Sequence, residues 1–412
     1  MATVKSNSTA TSSKRRAISG TASTPYAEIL PNPEFRPDPK RAIFITGPFN
    51  QDLVYRLTPD IVRLQHESRE PITVYIDSPG GIVANMRGIL RLLRLPGMDS
   101  PAPCNLITVA TSLAASAAAT LLCSGDYVIA CPGSLIHFHG VRTYRQTEIT
   151  KEDADDVARD LKASNDASAV SLARARSQQF FYRFITLRSD FEEYRKKNPR
   201  AITDKDCFVG MILERLSAWG TDLVRKAEER YKRYDSLSTY VFKARRVQKE
   251  LSLIRSDPKR GNYKRAEAEM LKAIIAFEVP RKQSVGWTFG SDGLPRVNDD
   301  FFLLNEYIDQ HSNSWIEAFC EAWKDFILND SDKAAIEALP EDQRKAARLS
   351  KLTPVLLPLW LFFGSICRVL QEAENPLTPE DAFWLGLVDE VMGANLPTLR
   401  RMVERIPLLK QE

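Results

Sequence analysis

Leu106-Ile107-Thr108-Val109-Ala110-Thr111-Ser112-Leu113-Ala114-Ala115-Ser116-Ala117-Ala118-Ala119-Thr120-Leu121-Leu122 is the stretch whose reading decides the fold. Its first five residues are apolar or β-branched throughout, the pattern of a strand covered on both faces. From Ser116 the composition turns to Ala and Leu, the strongest helix formers. The spacing predicts a strand over Leu106–Ala110, a tight turn, and a buried helix from about Ser116. No charge falls between Asp99 and Asp126, long enough for a membrane span. Pro101, Pro103 and the many Ser, Thr and Ala residues instead favour a buried strand followed by a buried helix.

The same texture extends outward. Ile43–Thr46, Ile72–Ile76, Tyr127–Ala130 and Leu135–His139 are further short strands, with helical patterns at Asp52–Glu67 and Ile82–Leu95 between them. Strand and helix in alternation define an α/β layered core running to about residue 145. From 146 to 350 the pattern is helical: Glu152–Phe184, Cys207–Arg255, Tyr263–Phe277, Asp300–Leu328 and Asp332–Leu349, with a small hairpin or loop at Gly286–Val297. Val355–Cys367 is apolar but short for a span and contains Pro358. The expected organisation is a basic Ser/Thr/Pro-rich tail over 1–40, a first core part over 41–180, a helical insertion over 181–350, a return to the core over 351–395, and a tail over 396–412.

Composition narrows the function classes. Of 412 residues, 43% are hydrophobic and 27% charged, so a core can form and wholesale disorder is excluded. Lys and Arg total 57 against 53 acidic residues, a balance that argues against nucleic acid or an anionic membrane as partner of the whole chain. Residues 225–265 carry 14 basic side chains against 5 acidic, read first as a solvated helical face and otherwise as a docking surface for an acidic partner or nucleic acid. No G-x-G and no Gly-Lys pair occurs, so neither a dinucleotide fingerprint nor a phosphate loop is present. No cofactor is expected. Six cysteines without a C-x-x-C pair read as buried reduced thiols of a cytoplasm-like compartment. The start of the chain lacks the apolar core of a secretory signal; its basic, acid-poor character also suits an organelle transit peptide, which would place the protein in a stroma or matrix.

Four histidines, His66, His137, His139 and His311, limit the acid–base chemistry. His66-Glu67-Ser68-Arg69-Glu70 lacks the second histidine of a metalloprotease helix. His137 and His139 share one strand face, but no carboxylate or cysteine cluster completes a metal site. Ser116 falls at a helix start, where unpaired N–H groups and the helix dipole favour developing negative charge; taken alone, it reads first as a small residue chosen for close packing. Ser78-Pro79-Gly80-Gly81 follows a strand with paired glycines that leave backbone amides uncovered, the form of an oxyanion loop or of an ordinary turn.

Taken in order, these segments resemble the Clp protease proteolytic subunit family. The carrying residues are Arg41-Ala42-Ile43-Phe44-Ile45-Thr46-Gly47, Val74-Tyr75-Ile76-Asp77-Ser78-Pro79-Gly80-Gly81, Ala114-Ala115-Ser116 with Leu121-Leu122, and Pro132-Gly133-Ser134-Leu135-Ile136-His137-Phe138-His139. Near the end stand Leu377-Thr378-Pro379-Glu380-Asp381-Ala382 and Gly386-Leu387-Val388-Asp389-Glu390-Val391. The resemblance implies a crotonase-like Clp peptidase core carrying a large all-α insertion, and a serine endopeptidase acting through an acyl-enzyme. By position Ser116 matches the nucleophile, His139 the general base, and the amides of Gly81 and Ala117 the oxyanion donors. Glu374 matches the triad acid, with Glu372 or Asp381 as substitutes. The family cleaves peptides or unfolded proteins inside a homo-oligomeric chamber fed by a separate AAA+ unfoldase. Glutamate in the acid position, and its distance along the chain from His139, leave a second reading: an inactive Clp-like subunit serving assembly or adaptor binding.

Overall fold

The computed structural model describes residues 35–96, 102–143, 148–232, 320–321, 323–372, 375–394 and 396, with strand residues 27–28, 287–289, 295–297 and 398–399. The core alternates β1 (Ala42–Thr46), α1 (Gln51–Glu67), β2 (Ile72–Ser78), α2 (Val83–Leu93), β3 (Leu106–Ala115), α3 (Ala117–Cys123), β4 (Tyr127–Ala130) and β5 (Leu135–His137). A final strand, β6 (Glu390–Val391), joins from the far end of the chain. The sheet is parallel, in the order β1-β2-β3-β4-β6, with β5 also paired to β3.

Each helix is placed by its apolar spacing. In α1, Asn50 caps the N-terminus by accepting from Leu53 N at 2.9 Å, and Leu53, Leu57, Ile61 and Leu64 form one buried stripe. Among the described residues the opposite sheet face is covered only in part, where two covered faces were expected. Phe35, Ile107, Val109, Tyr127 and Ile129 cluster at its centre, whereas Phe44 at the edge is 58% exposed and stacks on Tyr75. Phe35 lies within the stretch expected as a tail, yet it is buried against the Tyr127 ring at 5.0 Å.

The decisive stretch departs from its sequence reading at one point. The strand does not end at Ala110; β3 continues to Ala115, with no turn at 111–115. Its first half pairs with β4 through Ile107–Ala110, and its second half pairs with β5 through Leu113–Ala115. Two short strands thus share one long neighbour, and that pairing overrides the local turn signal of Thr111-Ser112.

The helices beyond residue 150 pack onto this core rather than beside it. α4 (Lys151–Leu187) opens with a capping box between Thr150 and Asp153 and is buried from Ala169 onward. After α5 (Phe191–Lys197) and α6 (Asp204–Leu213) the expected continuous helix is interrupted. Ser217 caps a new helix over 218–232, its Oγ accepting from Gly220 N at 3.2 Å, while its own N–H and hydroxyl donate to Asp381 at 2.8 and 2.5 Å. α7 (Asp330–Glu337) precedes α8 (Glu341–Leu370), within which the 350/351 boundary falls; the 180/181 boundary likewise falls within α4. Phe180 of α4 meets Phe208, Phe362 and Phe363, and one apolar cluster joins the sheet, α4 and α8. Trp287–Phe289 and Pro295–Val297 pair antiparallel, the hairpin alternative at Gly286–Val297. The expected helix Tyr263–Phe277 and most of Asp300–Leu328 lie outside the described residues.

Two buried arginines of α4 hold the returning segment. Arg176 donates Nε to Gly386 O at 3.0 Å and pairs with Asp389 at 3.0 Å, and Asp389 in turn accepts from Val128 N at 2.7 Å. Arg183 donates to Phe383 O and Val388 O, each at 3.1 Å, and lies over the Phe383 ring. Burial pushes the Arg183 guanidinium down to about 10 against the opposing pull of Asp389. α9 (Pro379–Trp384) and β6 are thereby fixed to the core through bonds that span 200 to 210 residues of sequence. Among the described residues no single helix is long and apolar enough to cross a membrane; the two halves of α8 together reach that length, but the second is largely buried.

Candidate active site

Ser116 joins β3 to α3 with φ 58° and ψ −122°, the one described non-glycine residue with positive φ. Such a conformation costs on the order of 1–3 kcal/mol and persists only where its surroundings impose it. Here they do. Ser116 N donates to His137 O at 2.7 Å, which ties the elbow to β5, while Ser116 O accepts from Thr120 N at 3.2 Å and starts the helix. Ala117, Ala118 and Ala119 follow, so their N–H groups form the first turn, where no intrahelical acceptor is available.

Gly80 packs directly on this elbow. A Cβ there would stand 2.6 Å from both Ala115 O and Ser116 Cβ, so only glycine allows the approach. The neighbouring bridge to Phe49 uses the carbonyl of Gly80 and the amide of Ile82, at 2.8 and 2.9 Å. It engages neither polar group of Gly81. By the alternation of an extended chain, the Gly81 N–H faces away from Phe49. Two expected oxyanion donors therefore belong to segments that touch: Gly81 follows Gly80, and Ala117 follows Ser116.

The histidines lie at the end of β5, which stops at His137 rather than reaching His139. Their rings are 5.7 Å apart, in keeping with a shared side of the chain. His139 Nδ1 meets Gly140 O at 2.7 Å. A carbonyl only accepts, so Nδ1 carries the proton and Nε2 keeps its lone pair, the tautomer a general base needs. No hydrogen bond joins Ser116 Oγ to the His139 ring in this arrangement. The two residues are brought to the same end of the β3–β5 pair without being linked.

Glu374 lies outside the described residues. Both flanks of its segment are placed. Gln371 O stands 3.0 Å from where a Gly140 Cβ would be, and Leu377 exchanges backbone bonds with Ile136 at 2.7 and 3.1 Å. Glu372 and Asp381 are engaged elsewhere: Glu372 accepts from Arg230 at 2.8 and 2.9 Å, and Asp381 holds Ser217. Neither orients the imidazole.

Sequence reasoning missed the support beneath His139. Asn165 of α4 accepts from Val141 N at 2.7 Å, and its amide nitrogen lies 2.9 Å from a would-be Gly140 Cβ. Arg368 of α8 pairs with Asp166 at 2.9 Å beside it. Nothing local marks Asn165, which reads as one more polar residue on a solvated helix.

A strained serine between strand and helix, packed on a glycine loop and followed by uncapped amides, thus stands on a parallel α/β sheet. The Clp protease family model matches residues 37–179, the stretch from before β1 into α4. Over those residues the chain is similar to the Clp protease family, and the described helices beyond them join the same apolar core. No curated protein matches the chain.

Proposed function

We propose that the protein is a serine endopeptidase of the Clp type, with Ser116 as nucleophile and His139 as general base. The observation that carries this reading is the strained elbow at Ser116, held by His137 O and closed over by Gly80. A structural serine has no need of such a backbone, whereas a nucleophile does, because the elbow lifts the hydroxyl clear of the sheet. In the reaction Ser116 Oγ attacks the peptide carbonyl as its proton passes to His139 Nε2. The oxyanion is met by the N–H groups of Gly81 and Ala117. The imidazolium then gives its proton to the leaving amine, and water reverses the sequence to free the acyl group. The resting structure requires His139 to approach Ser116, a tightening that substrate binding supplies.

Gly140 O fixes the imidazole tautomer but lacks a full negative charge to stabilise the imidazolium. Glu374 is the proposed source of that charge, because Gln371 and Leu377 on either side of its segment lie against Gly140 and Ile136. The proposed setting is a homo-oligomeric chamber in the cytoplasm, or in an organelle stroma or matrix, receiving unfolded polypeptide from a separate AAA+ ATPase. The alternative, an inactive subunit acting in assembly, is favoured by the missing Ser116–His139 hydrogen bond. Turnover of a fluorogenic acyl-peptide by the assembled protein separates the two. Activity lost in Ser116→Ala and in His139→Gln supports catalysis; turnover that survives Ser116→Ala, or is absent from the wild type with unfolded substrate and ATPase supplied, overturns it.

A further inference from the structure

The structure assigns Asn165 as the positioning residue for His139, a role that rests on the reading of His139 as the general base. The link runs through the backbone. Asn165 Oδ1 accepts from Val141 N at 2.7 Å, so the side chain fixes the peptide that follows Gly140. Gly140 O is part of that peptide, and it holds His139 Nδ1 at 2.7 Å. A Cβ at Gly140 would stand 2.9 Å from the Asn165 amide nitrogen and 3.0 Å from Gln371 O, so only glycine lets both come this close.

This gives α4, a helix outside the sheet, a direct effect on the tautomer of the ring. An asparagine suits the task, since it accepts one hydrogen bond without adding a charge beside the imidazole. Asp166 at the next position carries the charge and pairs with Arg368 at 2.9 Å. Rotation of the Gly140 peptide would withdraw its carbonyl from Nδ1, and the neutral ring would then place its proton on either nitrogen. Only one of those forms can accept from Ser116.

The chain has only four histidines, so nitrogen-15 NMR of the full-length protein, with His139 assigned from His139→Gln, reads the tautomer directly. The wild type and Asn165→Asp, which keeps the accepting oxygen, are expected to show the Nδ1–H form. Asn165→Ala is expected to show mixed tautomers and a roughly tenfold slower reaction of Ser116 with a fluorophosphonate, the effect of losing about one well-formed hydrogen bond. Should Asn165→Ala fail to fold, the near-isosteric Asn165→Leu carries the same expectation. An unchanged His139 spectrum in the folded alanine or leucine variant overturns the assignment. A wild type that never reacts with the probe overturns the peptidase reading instead, while the spectra still decide the role of Asn165.

Discussion

At Ser116 the backbone conformation can be weighed separately from the chemistry of its side chain. Ser116→Ala and Ser116→Gly both remove the hydroxyl, but only glycine relieves the positive φ of 58°. Chemical denaturation is expected to find Ser116→Gly more stable than Ser116→Ala by about 1 kcal/mol. Equal stabilities would mean that the elbow is unstrained. Gly80→Ala tests the contact from the other side. Its methyl group would meet Ala115 O and Ser116 Cβ at 2.6 Å, so a loss of about 1–3 kcal/mol is expected, together with loss of probe reaction at Ser116.

The thiols give an independent check on burial. Cys123 is pushed up to about 12 by burial, and Cys367 is raised well above the ordinary thiol range for the same reason. Cys131 is the one cysteine of the six that is partly exposed. A disulfide reagent should modify one thiol quickly in the native protein, and Cys131→Ser should abolish that fast phase. Several fast thiols would contradict the packing described.

Among the elements, the most exacting join is between α4 and the returning segment. Arg176 and Arg183 donate to the carbonyls of Phe383, Gly386 and Val388, and Arg176 also pairs with the Asp389 carboxylate. Removing one member of a buried pair strands the other, so Arg176→Ala and Asp389→Ala should each cost about 3–5 kcal/mol. Their combination should cost less than the sum, because the second change removes the stranded partner. Additive losses would mean that the pair is not coupled.

The same scale separates what the sequence made legible from what it hid. The apolar runs at Ile72–Ile76, Leu106–Ala110 and Tyr127–Ala130 declared the sheet because strands buried on both sides have little choice of residue. The continuation of β3 to Ala115 was hidden, since Thr111-Ser112 reads as a turn and only pairing with Leu135–His137 makes it a strand. The break before residue 218 was missed although its cap is local, Ser217 accepting from Gly220 N; Asp381, distant in sequence, holds that serine in place. Ser116, Gly80 and Gly81 could be picked out by local composition. Asn165 could not, because its partner is a backbone amide whose position depends on the fold.

For the whole molecule, the described helices and the sheet share one apolar cluster, so the returning segment belongs to the core. Ending the chain after residue 372 would remove α9 and β6 and leave two buried guanidiniums without their acceptors. Such a truncation is expected to lose cooperative thermal unfolding altogether. A truncated chain that melts like the full one would show that the sheet is self-sufficient without β6.

One measurement bears on the central claim most directly: intact-mass analysis and peptide mapping after treating the assembled protein with diisopropyl fluorophosphate. A single diisopropylphosphoryl adduct on Ser116, missing from Ser116→Ala and greatly slowed in His139→Gln, is the predicted result. No adduct on Ser116, or one formed equally fast without His139, would contradict an activated serine at this elbow.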